Sequence, residues 1–64
     1  MRPQAEKVLK YLQKWGSDTD SNMSLVLDTP APSIRRSIQE LIHEGINVTY
    51  AGPSTGVYTL SNRN

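Results

Sequence analysis

The 64-residue sequence predicts one α+β domain in which three helices are followed by a β-hairpin. Two observations carry that expectation. Apolar residues recur at helical spacing before Gly16 and again after Pro32, with a short apolar run between them. After Gly45 the period changes to alternation, interrupted by Gly52-Pro53-Ser54-Thr55-Gly56. The absence of cysteine narrows the class, because neither a disulfide framework nor a thiolate site is open to the chain.

The first helix is expected over residues 3–15. Ala5, Val8, Leu9, Leu12 and Trp15 fall on one face, Pro3 suits the first turn and Gly16 suits the exit. Lys7, Lys10 and Lys14 share an arc of roughly sixty degrees on the opposite side. That stripe reads either as a solvated helix back or as a set of phosphate contacts.

Residues 17–22 are polar and read as a loop, with Asp18, Asp20 and Ser21 as capping candidates. Met23-Ser24-Leu25-Val26-Leu27-Asp28 permits a strand by itself, but its place between two helices predicts a short helix over residues 21–28. Pro30 and Pro32 stop that helix and restart the chain. A third helix over residues 31–44 is predicted by Ile34, Ile38, Leu41 and Ile42, with Gly45 as its left-handed terminator and Ile46 folding back onto it.

The hairpin is expected over residues 46–60. Ile46, Val48 and Tyr50 share one face of its first strand, and Tyr58 and Leu60 share one face of the second. Trp15, Tyr50 and Tyr58 each fall on the apolar phase of their element and are assigned to the core. Residues 61–64 read as a terminal tail.

This element order is that of a winged helix-turn-helix domain. Pro32-Ser33-Ile34-Arg35-Arg36-Ser37-Ile38-Gln39-Glu40-Leu41, with Gly45 and Ile46 after it, resembles the DNA-reading helix of bacterial winged-helix repressors. The likeness is to the DeoR type and to the N-terminal domain of biotin-operon repressors, and Gly56-Val57-Tyr58-Thr59-Leu60 is similar to their second wing strand. Such domains carry a small residue inside the second helix and a glycine in the turn, where this chain has Val26 and Asp28. No aromatic lies between Ile34 and Glu44 and the hairpin tip has only Pro53, which sets aside the winged helices that bind left-handed DNA. The resemblance implies double-stranded DNA as the partner.

On that basis the third helix directs Ser33, Arg36, Glu40 and His43 away from the core, with Arg35, Ser37, Gln39 and Glu44 on the flanks. Arg36 matches the O6 and N7 acceptors of guanine, Gln39 suits adenine and Glu40 accepts from cytosine. Ser33, Thr29 and the N–H groups of the first turn suit phosphate. Arg35 has a second option, with its stem on the core and its head on a carboxylate. Ser54 and Thr55 offer hydroxyls at a hairpin tip without lysine or arginine, which reads either as a phosphate contact or as a plain loop.

Seven lysines and arginines against six carboxylates leave a net charge of +1, so the electrostatic case rests on placement. A domain this small buries only ~60% of its unfolded surface, which leaves little room for a pocket. With one histidine and no nucleophile–base pair, an enzyme is not expected, nor is a cofactor, a metal or a small-molecule ligand. The expectation is a small transcriptional regulator or a phage or mobile-element DNA-transaction factor, cytoplasmic and without a membrane segment. Few cations imply weak binding by one domain, so tight binding calls for homo-oligomers or cooperative assembly on DNA. The alternative is a winged-helix protein-interaction module that does not bind DNA.

Overall fold

The computed structural model describes residues 1–61 and is an α+β fold of three helices and a three-stranded antiparallel sheet. The expected tail, apart from Ser61, lies outside the described residues. Helix α1 spans Pro3–Trp15 and buries Ala5, Val8 and Leu12. It ends at Gly16, whose φ of 90° turns the chain sharply while its N–H still donates to the Leu12 carbonyl at 2.8 Å.

The chain then enters strand β1, Ser17–Thr19, where the sequence predicts a loop. It pairs antiparallel with β3, Val57–Leu60, with Asp18 opposite Tyr58. Three polar residues carry neither alternation nor a β-branched run. The strand is held by backbone pairing to a distant segment, and Leu60 N–H extends that pairing by donating to the Gly16 carbonyl at 2.9 Å. Strand β2, Val48–Tyr50, pairs on the other side of β3, so the sheet order is β1-β3-β2. The hairpin is therefore two-thirds of a sheet whose third strand is inserted between the first two helices.

Helix α2 is Asp20–Val26, one residue earlier at its start and two shorter at its end than the sequence predicts. Its cap is Thr19, whose hydroxyl accepts from Asn22 N–H at 3.0 Å, and not Asp18, Asp20 or Ser21. At the other end Thr29 N–H reaches back to the Ser24 carbonyl at 3.0 Å, and Asp28 sits between with φ 49°. That is a Schellman closure with an aspartate in the left-handed position. Helix α3, Ala31–His43, ends in the same way: Ile46 N–H donates to the Leu41 carbonyl and Gly45 N–H to Ile42, both at 3.0 Å, around Gly45 at φ 89°.

The core is formed by Ala5, Val8 and Leu12 of α1, Met23 of α2, Ile34, Ile38 and Leu41 of α3, and Tyr58 and Leu60 of β3. Three residues expected there lie outside it. Ile42 is exposed, because Leu41 alone fills the last inward turn of α3. Tyr50 is half-exposed on the edge strand, stacked on Tyr58 across the register with centroids 4.6 Å apart. Trp15 is 60% exposed, since Gly16 closes the end of the core and the indole tilts against Tyr11 instead.

Candidate nucleic-acid interface

With Ile34, Ile38 and Leu41 buried, α3 turns Arg36, Gln39 and His43 to solvent. Among the described residues no carboxylate pairs with Arg36. Its neighbour Arg35 is engaged: Nη1 lies 3.0 Å from Asp20 Oδ2, and that carboxylate is largely covered. Of the two roles open to Arg35 in the sequence, the ion pair is present. It ties α3 to the first turn of α2, and a partner fifteen residues upstream leaves no local signal.

Ser37 departs from its expected place on the DNA-facing flank. It is only 3% exposed, and its hydroxyl donates to the Ser33 carbonyl at 2.9 Å, so it belongs to the inner face and leaves the candidate surface. Glu40 is half-buried and lies 3.8 Å from Arg2 Nε. The Thr29 hydroxyl donates to the Leu27 carbonyl at 3.0 Å. The first turn of α3 also offers fewer donors than expected: Pro32 has no N–H, and the Ser33 and Ile34 N–H groups donate to the Pro30 carbonyl. Among the described residues the Ala31 N–H has no hydrogen-bond partner. Ser33 is half-buried at the edge of the surface.

Ser54 and Thr55 are exposed at the hairpin tip. Burial pushes the Tyr58 hydroxyl up from its ordinary range, the charge of Asp20 adds to this, and Arg35 opposes it. Tyr50, assigned to the core from its phase, is an exposed aromatic on the edge strand, stacked on Tyr58. Its place on an edge strand is the signal that phase alone does not contain. Lys7, Lys10 and Lys14 are gathered elsewhere, around Val26 and Leu27 in a groove that Arg36 does not line.

A second polar cluster holds the start of α2. The Tyr11 hydroxyl donates to Asp18 Oδ2, which also accepts from Asn22 Nδ2 at 2.6 Å, while Thr19 N–H donates to Oδ1 at 2.7 Å. Burial alone would raise the Asp18 carboxyl, but the three hydrogen bonds outweigh it and hold the group below the usual carboxylate range. The same hydrogen bond to Asp18, with burial and the Asp18 charge, raises Tyr11. This cluster is structural, fixing where the chain leaves α1 and enters α2. Among the described residues no three of His, Asp and Glu gather as a metal-binding set. Comparison with protein-family models, with curated proteins and with solved structures finds no match to the chain.

Proposed function

We propose that this chain is a winged helix-turn-helix domain that binds double-stranded DNA, with α3 in the major groove. One observation carries the reading. Arg36 stands exposed on the outer face of a helix whose inner face is fixed by Ile34, Ile38 and Leu41, and it is unpaired among the described residues while Arg35 beside it is held. Such an arginine extends a planar fork suited to guanine O6 and N7, and Gln39 one turn on suits adenine. The three helices and antiparallel sheet are compatible with that arrangement.

Other groups take lesser parts. Arg35 orients α3 through Asp20, and Glu40 is half-withdrawn by Arg2. Ala31 N–H, Ser33, Ser54 and Thr55 suit phosphate and fix register. The lysines of α1 add sequence-independent attraction.

The test is an amide NMR titration with a mixed-sequence duplex at low salt, repeated with Arg36→Ala. Shifts at residues 29–40 and at the hairpin tip, weakened by salt and by the substitution, are expected. Shifts confined to the lysines of α1 would end the α3 reading. The near-neutral charge and the tip without a cation favour a second reading, a protein-interaction module on the same fold, which predicts that Arg36→Ala changes no DNA titration.

A further inference from the structure

We propose that the groove between α1 and α2 docks an acidic amphipathic helix of a partner protein. Its floor is Tyr11, Trp15, Val26 and Leu27, and its rim is Lys7, Lys10 and Lys14, with no carboxylate among the lining residues. Trp15 is 60% exposed, Val26 57% and the adjacent Leu25 81%. So large an apolar share on neighbouring turns of a domain this small marks a contact surface. None of it supports the reading of α3, and the proposal does not rest on DNA binding.

Charge and spacing identify the occupant. Lys7 and Lys14, neither in an ion pair among the described residues, lie seven positions apart, a span of about 10.5 Å, which is two turns of a helix laid alongside, while Lys10 between them is held by Glu6 at 3.4 Å. A helix carrying carboxylates at that spacing and apolar residues on its adjoining face would meet the rim and the floor together. Lys14 Nζ already stands 5.1 Å from the centre of the Trp15 ring, which keeps a cation over the apolar floor. Nucleic acid fits less well, because phosphates gain nothing against Val26 and Leu27.

A second copy of the chain is disfavoured by its own ion pairs. Five of its six carboxylates are engaged among the described residues: Glu6 with Lys10, Glu40 with Arg2, Glu44 with the amino terminus, Asp20 with Arg35, and Asp18 with Tyr11 and Asn22. It has no acidic stripe to offer the groove of a neighbour.

The experiment pans a displayed library of random peptides against the folded chain, then titrates the enriched peptides while tracking emission from Trp15, the single tryptophan. Enriched peptides should be acidic with apolar residues three and four apart, and should shift the emission to the blue. The Lys7→Glu/Lys14→Glu double variant should bind them about tenfold more weakly. Val26→Asp should bind them more weakly still, with the circular dichroism of both variants unchanged because all three side chains are exposed. No enrichment, enrichment without acidic bias, or equal binding by the variants would overturn the proposal. So would an equal blue shift with phosphatidylserine vesicles or duplex DNA, or self-association of the chain alone.

Discussion

Replacing Asp28 by glycine should stabilise the domain by about 0.6 kcal/mol. Asp28 occupies the left-handed position that closes α2, at φ 49°, where Gly45 occupies the equivalent position after α3. A side chain in that region costs roughly 1–2 kcal/mol, with aspartate near the lower bound because its short polar group tolerates the geometry. The carboxylate also sits at the negative end of α2, which costs a further ~0.3 kcal/mol at an exposed site. Against these, glycine frees the unfolded chain by about 0.4–1 kcal/mol. The balance is about 0.3–0.9 kcal/mol in favour of glycine, or roughly 1–7 °C in Tm for a domain of this size.

Two companion variants separate the contributions. Asp28→Asn keeps tolerance of the left-handed backbone and removes the charge, so it gains ~0.3 kcal/mol. Asp28→Ala also removes the charge but loses that tolerance, and should be less stable than the parent. Urea unfolding monitored by circular dichroism measures all four chains, and the expected order is Gly, Asn, Asp, Ala. An alanine variant as stable as the glycine variant would refute the backbone argument. A glycine variant less stable than the parent would show that the Asp28 side chain makes a contact worth more than the strain.

The remaining predictions use the same measurements. Arg36→Ala should leave stability within about 0.5 kcal/mol while costing ~1–3 kcal/mol in binding a selected duplex, whereas Arg35→Ala should lose about 0.5–1 kcal/mol of stability, both read by unfolding and by duplex titration. Gly45→Ala, at φ 89°, should destabilise by about 1–2 kcal/mol in the same unfolding assay. Because the Asp18 carboxyl lies lower in the folded chain than in the unfolded one, its contribution is complete above the unfolded value and lost as pH falls through the folded one. Asp18→Asn should therefore flatten the acid limb of a stability profile, and an unchanged limb would remove Asp18 from the account.

Helix α2 is legible only from its place between two others, while α1 and α3 are legible because each writes its own signal locally: Val8 and Leu12 before Gly16, and Ile34, Ile38 and Leu41 after Pro32. Strand β1 is not, because Ser17, Asp18 and Thr19 become a strand only by pairing with β3 about forty residues later. The same distinction divides the candidate interface. Arg36 is placed by phase alone, while the fate of Arg35 depends on Asp20 across the turn. Ser37 shows the limit of phase: a flanking hydroxyl is small enough to be buried once its bond to the Ser33 carbonyl satisfies it. Trp15 and Tyr50 fail in the opposite direction, since apolar phase places a side chain toward the core but does not extend the core to the end of the element.

The two surfaces, one argued from Arg36 and the other from the lysine-rimmed groove, can be tested against each other. Lysines that neutralise phosphates make affinity fall with salt, by nearly one unit of slope for each phosphate neutralised. A helix docked in the groove would occupy those lysines and leave Arg36 untouched. Saturating the chain with a groove-binding acidic peptide should then flatten the salt dependence of DNA binding by up to about three units, and should preserve the preference among duplexes proposed for Arg36 and Gln39. Loss of the sequence preference with the slope intact would reverse the assignment, making α3 the peptide site and the lysines idle. If both are retained, the lysines of α1 take no part in holding DNA, and attraction rests on α3 and the hairpin alone.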